Sequence, residues 1–303
     1  GGGAISINGS GVTAGVLMAG NAVDSGGGVI DVIGAASGVN GTGVDLTNAQ
    51  LVAGAGDVRV FGNAAAGTGV AFAGQSGIST TTGAIGVTGI GATVGLALTG
   101  GTLSTDSGHF DLRGRGTGAA SDGLVIGAGV DIATNGGGIE LSGEGGSGAG
   151  VILASGSSVD AGNSLVVIRA GNDGSSDALR IGGSIASSLG VNLRPGGVDA
   201  NGGLTERVDD EILVGGGSTG FALSGAELAL IDSPELIIGS NLHAGAIQVL
   251  GGITRNGNLT LQNDGGNGGI DLQGAVNVGG GVLALSSGGD ITQSSTGAIT
   301  AHS

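Results

Sequence analysis

The sequence predicts an all-β chain wound into a right-handed parallel β-helix, a β-solenoid of about 11 turns with three short strands per turn. Three observations predict it. Apolar pairs of the form Φ-x-Φ, where Φ is aliphatic or Phe, recur about every 25 to 29 residues and alternate with period two, as strands do. One corner between these pairs has a constant length. Gly supplies 75 of the 303 residues and Pro only 2, so a helix would lose roughly 1 kcal/mol at each Gly relative to Ala.

Each turn opens with a first strand anchored by Ile5/Ile7, Ile30/Val32, Val58/Val60, Ile85/Val87, Phe110/Leu112, Ile139/Leu141, Val166/Ile168 and Val191/Leu193. A second pair follows, often after Gly: Val16/Met18, Val44/Leu46, Val70/Phe72, Leu96/Leu98, Leu124/Ile126, Val151/Leu153 and Leu179/Ile181. The third element is an aliphatic followed two positions on by a small residue that suits a tight corner, as in Leu51/Ala53, Ile78/Thr80, Leu103/Thr105, Ile132/Thr134, Val159/Ala161 and Ile185/Ser187. From the third anchor to the next first strand the step is seven residues in six successive turns, from Val23 to Ile30 through Val159 to Val166. From first to second strand it ranges from 11 residues, Ile5 to Val16, to 14, Phe110 to Leu124. Length variation gathers at that one corner, so the loops 34–42, 114–122 and 171–177 are expected along one edge of the rod, as its contact surface. A single turn has too little aliphatic surface to offset the ordering of its backbone; the turns fold only when stacked.

The pattern divides the chain into regular turns over 1–194, an irregular stretch over 195–246 and regular turns again over 247–303, all one solenoid. Within the irregular stretch Ser224 and Glu227 have the S-x-x-E spacing of a capping box, followed by Leu228, Ala229 and Leu230 and closed by Ser233-Pro234, which predicts one short helix. The stretch reads as a structural variant turn, because solenoid loops tolerate insertions. Regular pairs return at Ile247/Val249, Leu259/Leu261, Ile270/Leu272 and Leu283/Leu285.

The Gly-rich Φ-x-Φ turns, and above all the segment GGLTERVDDEILVGGGSTGFALSGAELALIDSPELIIGSNLHAGAIQVLGG, resemble the repeat region of large filamentous-haemagglutinin-like exoproteins of proteobacteria. The resemblance spans essentially the whole chain, with 204–252 its most distinctive part. It implies secretion through a dedicated outer-membrane partner, an extracellular or cell-surface location, and a surface adhesin or filament that meets host or bacterial surfaces and their glycans. The secretion domain of that family, with its Asn-Pro-Asn motifs, has no match here, which is what a piece of the shaft would look like. The opening GGGAISINGS carries no initiator Met or cleavage site, and both ends stop in repeat-like sequence, so the chain is expected to be a fragment or a unit that joins end to end, with end-to-end or lateral self-association expected of it.

Charge excludes other partners. The formal net charge is -16, from 24 acids against 8 Arg and no Lys, so nucleic acid, whose binding rests on phosphate neutralisation, is not expected. No run reaches the ~18 apolar residues of a membrane-spanning helix. With 0 Cys and three dispersed His, His109, His243 and His302, no metal site is spelled out, and each His reads as an incidental surface or corner residue. No phosphate-binding G-x-x-x-x-G-K-[ST] motif exists without Lys, and G-x-G-x-x-G-like strings occur by chance at this Gly content.

Carbohydrate-active enzymes also use parallel β-helices, and they are the rival class. The slot between the first-strand anchors is predicted to face solvent and holds Ser6, Asp31, Arg59, Gly86, Asp111, Glu140, Asn192, Gln248 and Asp271. Asp111 and Glu140 should lie on adjacent turns about 5 Å apart, near the carboxyl spacing of retaining glycosidases, with Arg113 close by. The leading reading of this pair is a solvated surface column; a bridging calcium ion and catalysis are the alternatives, and a sugar cleft usually uses aromatic platforms that a chain without Trp or Tyr lacks. No catalytic residue and no cofactor is therefore expected, with calcium the one metal to test. GGNGGIDL at 265–272 is close to a calcium-binding G-G-x-G-x-D repeat, with its Asp one position late. Asn8, Asn40 and Asn258 open glycosylation-type sequons at a near-chance frequency.

Overall fold

Alternation in sequence becomes register in space in the computed structural model, which describes residues 2–173 and 176–301. Ile5, Ile30, Val58, Ile85, Phe110, Ile139, Val166, Val191, Leu236, Leu259 and Leu283 are successive partners in one parallel ladder of eleven first strands. These strands define coils 1 to 11, a stack roughly 50 Å long at about 4.8 Å per rung. The predicted second and third anchors form parallel columns of their own, Val16 through Leu179 and Val23 through Ile231. Their side chains point inward and, from coil 2 to coil 10, are buried in one continuous aliphatic cluster. Main-chain bonds between coils supply the ladder, and each coil covers its neighbour's core.

The variable corner is not a corner in every coil. In coils 2 and 3 a single strand, Ile30–Thr47 and then Val58–Ala73, runs through it, and register shifts between Ala36 and Thr42 absorb the extra residues. First and second strands thus belong to one bent sheet. Glycine pairs make the bend narrow: a Cβ on Gly34 would lie 2.0 Å from the Gly43 carbonyl oxygen, and one on Gly143 1.8 Å from that of Gly150. The seven-residue corner is held differently. Where the small third-strand residue is Thr or Ser, its hydroxyl meets the backbone three residues on, as where the Gly108 and Gly137 N–H groups donate to Thr105 and Thr134 Oγ1, each at 3.0 Å. An inserted residue would break that bond in one coil and the stacking in two.

The stretch predicted to be irregular contains three devices. First, the strand Gly190–Val198 overshoots coil 8 and pairs antiparallel with Leu204–Glu206, forming a hairpin arm whose turn is tied by Asp199 Oδ1 accepting from the Asn201 and Gly203 N–H groups at 2.7 and 2.8 Å. Second, Ile212–Val214 pairs in parallel with both Phe221–Leu223 and Ile247–Val249, adding a rung to the second column. Parallel neighbours usually need a crossover of a dozen or more residues; here 215–220 suffices, because Gly215, Gly217 and Gly220 adopt positive φ. Third, the capping box is present: Ser224 Oγ accepts from the Glu227 N–H at 3.2 Å and the Glu227 carboxylate accepts from the Ser224 N–H at 2.8 Å. The helix, Gly225–Leu228, is one turn long and ends before the predicted Ala229 and Leu230, because Ile231–Asp232 is needed as the third strand of coil 8.

The extra rung splits the third column. Ile231–Asp232 closes an eight-stranded sheet, and Ile253–Thr254 starts a separate three-stranded one. The helix packs against Ile253–Thr254 with Leu228 buried, and Arg255 reaches back so that Nη2 donates to the Ser233 carbonyl at 2.7 Å. The first-strand ladder crosses this junction without interruption. The insertion also corrects the sequence expectation for two slot residues. Gln248 and Asp271 lie between second-strand anchors, since Ile247/Val249 and Ile270/Leu272 belong to that column.

Candidate functional site

Outward positions of the first strands build the most chemically varied surface of the chain. Two columns stand side by side in register: Asp31, Arg59, Gly86, Asp111 and Glu140 in one, Ile33, Phe61, Thr88, Arg113, Ser142, Arg169 and Arg194 in the other. The arm lies over coils 5 to 8 of this face, and its tip at Gly202 stops where a Cβ would come within 2.8 Å of Thr88 Cγ2 and 3.8 Å of Phe61 Cε2.

Five of the eight Arg converge beneath or within the arm. Arg113 Nη1 donates to the Gly202 carbonyl at 2.9 Å, and Arg115 donates to that of Val198. Glu206 lies 3.1 Å from Arg169 Nε and 3.5 Å from Arg194 Nη2, and Arg169 also pairs with Glu140. Arg207, at the arm's return, pairs with Glu144, whose side chain is only 8% exposed, with Asp173 at 2.8 Å and with Asp210 at 3.5 Å. A chain with a large acid excess has concentrated its cations where the fold doubles back on itself.

Asp111 and Glu140 are adjacent in the ladder, as predicted. Each is engaged by a guanidinium group: Arg113 Nε donates to Asp111 Oδ1 at 2.6 Å, and Arg169 holds Glu140. Glu140 is also covered, with a side chain 18% exposed, so the column is less solvated than the sequence implies. Among the described residues no group of three or more His, Cys, Asp or Glu gathers to hold a metal ion. His109 is exposed at a coil corner, whereas His243 is buried in the coil 9 bend, where burial lowers its pKa against the opposing charges of Asp210 and Asp209. His302 lies outside the described residues, as do 174 and 175 of the 171–177 loop.

Ahead of the arm tip the same face opens into a groove of about 500 Å3 across coils 2 to 5. Its floor is Gly86, where an added Cβ would meet nothing within 4 Å. Ile33 and Phe61 stand on adjacent rungs along one side. On a second side Arg59 Nη2 donates to Asp57 Oδ2 at 2.8 Å, with Asp31 Oδ1 3.9 Å from Nη1; Asp57 Oδ1 accepts from the Ala84 N–H at 2.9 Å. Asp111, Arg113 and His109 close the far end. Phe72, Phe110 and Phe221 are fully buried, while Phe61 stands half-buried on the outward face. Sequence reasoning found Arg59, Gly86 and Asp111 in the slot but missed Phe61 and Asp57. The signal was present, because an aromatic one position past a Φ-x-Φ pair must point outward.

Comparison with known protein families, curated proteins and solved structures finds no match to this chain.

Proposed function

We propose that the chain is a non-catalytic structural shaft of a secreted bacterial surface adhesin or extracellular filament, exported through an outer-membrane partner as its resemblance to filamentous-haemagglutinin-like exoproteins implies. The observation that carries this reading is the unbroken first-strand register across eleven coils over a single aliphatic core. Such a stack converts sequence length directly into reach, and it presents side chains at fixed intervals along a stiff axis. The two carboxylates best placed for glycoside chemistry are each tied to an Arg, which favours the shaft over the enzyme. Adhesion is tested by displaying the chain on a non-adherent bacterium and scoring attachment to abiotic and epithelial surfaces. Attachment should rise with display level. Cells that carry the rod, verified by electron microscopy, and attach no better than the parent strain refute the reading.

A further inference from the structure

The groove over Gly86 is a vacancy in an otherwise occupied outward column, and its walls differ in kind. Ile33 and Phe61 offer an apolar strip about one rung long, roughly 5 Å. Asp31, Asp57 and Asp111 offer carboxylate acceptors, and Arg59, with 62% of its side chain exposed, offers spare donors. At about 500 Å3 the volume falls within the usual range of small-molecule sites, which pair apolar lining with a few convergent polar groups.

Charge and topology narrow the occupant. Three carboxylates face two guanidinium groups, each of which already has a carboxylate partner, Arg59 with Asp57 and Arg113 with Asp111. Phosphate, sulfate or uronate groups would therefore meet net negative charge. An extended peptide cannot add as a strand, because the coil 3 strand is paired on both sides, with Ile30–Thr47 and with Ile85–Gly91. Among neutral ligands these walls suit one with an apolar face and a rim of hydroxyls, which donate to carboxylates and accept from Arg.

We propose that this groove seats one neutral pyranose unit of a glycan, its apolar face on Phe61 and Ile33 and its hydroxyls on Asp31, Asp57 and Arg59. The proposal rests on the adhesion reading for its biological setting, while the binding itself belongs to the purified chain. The floor supplies a clean perturbation. Gly86 has no positive φ and no neighbour for a Cβ, so Gly86→Val fills the groove in a strand position that suits Val and leaves the core untouched.

Saturation-transfer NMR on the whole chain, with methyl β-glucoside, methyl β-galactoside, galactose-6-sulfate and an extended acetylated octapeptide as probes, tests it. A neutral glycoside should bind, galactose-6-sulfate should bind at least tenfold more weakly than its neutral counterpart, and Gly86→Val and Phe61→Ala should each cost tenfold or more in affinity with unchanged circular dichroism and melting. Binding of no neutral glycoside, equal or tighter binding of the sulfated sugar, unchanged affinity in Gly86→Val, or occupancy by the peptide instead would each overturn it. Sugar binding by a chain that confers no attachment would keep the groove and remove the adhesion reading. Attachment by a chain that binds no neutral glycoside would do the reverse.

Discussion

Two phenylalanines on opposite faces of the same ladder make the core assignment testable by one pair of substitutions. Phe110 is fully buried, with Ile85 and Ile139 as its register partners on the coils either side. Phe61 sits one position beyond an anchor and points outward into the groove. Phe-to-Ala truncation in a packed core costs about 3–5 kcal/mol, more where the surroundings cannot close the hole. Here they are held apart: the coil 5 strand is laddered to coils 4 and 6, and its glycine bend already brings a would-be Gly114 Cβ within 2.2 Å of the Gly123 carbonyl oxygen, so the walls have no room to move inward. Phe110→Ala should therefore fall in that full range, while Phe61→Ala, which opens no internal cavity, should stay within about 0.5 kcal/mol. A solenoid loses stability locally before it loses it globally, so the readout is amide hydrogen exchange by mass spectrometry. Peptides from coils 4 to 6 should exchange on the order of a hundredfold faster or more in Phe110→Ala, with coils 9 to 11 unchanged and no such effect in Phe61→Ala. Equal effects of the two substitutions, or a loss under about 1 kcal/mol for Phe110→Ala, would refute the inward assignment of the first-strand anchors.

Removing Arg207 strands Glu144 under the arm, and Arg207→Ala should cost about 3 kcal/mol, visible as a lowered urea midpoint and as new protease sensitivity of the arm between 199 and 206; a resistant arm contradicts the strap role of that pair. Arg255 is 8% exposed with Nε and Nη1 unpartnered, so Arg255→Met should be neutral or stabilising by about 1 kcal/mol in a urea melt, and a large loss would mean that its single bond to Ser233 sets the junction. Buried His243 and half-buried Asp177 give opposite pH slopes. Burial lowers the His243 pKa, so the unfolded chain takes the proton more readily and stability falls as pH drops below about 6.5; His243→Leu should flatten that limb. Burial, with Glu227 nearby, raises Asp177 to about 7, so its contribution is present below about pH 4 and is lost as pH rises towards 7. Asp177→Asn should then gain stability at pH 8 and not at pH 4, and melts that shift equally at both would dismiss Asp177 as the source.

The alternation of Ile, Val, Leu and Phe determined which side chains fill the interior, because strand geometry sends every second residue to the same face whatever the surroundings. The constant seven-residue corner determined the register of coils 2 to 7, since a coil that cannot change length at one corner must stack with its anchors aligned. The capping box was legible too, because its bonds span three residues. Beyond Val198 that information fails. Once an arm and an extra rung intervene, a Φ-x-Φ pair no longer reveals which column it joins, and Gln248 and Asp271 moved from the first column to the second for that reason. Tertiary structure alone decided that five Arg meet across the arm, with partners 63 residues apart in the case of Arg207 and Glu144. It alone left Gly86 uncovered beside Phe61 and Arg59. Coulomb attraction and shape act between neighbours in space, and a folded-back hairpin makes neighbours that no local periodicity encodes.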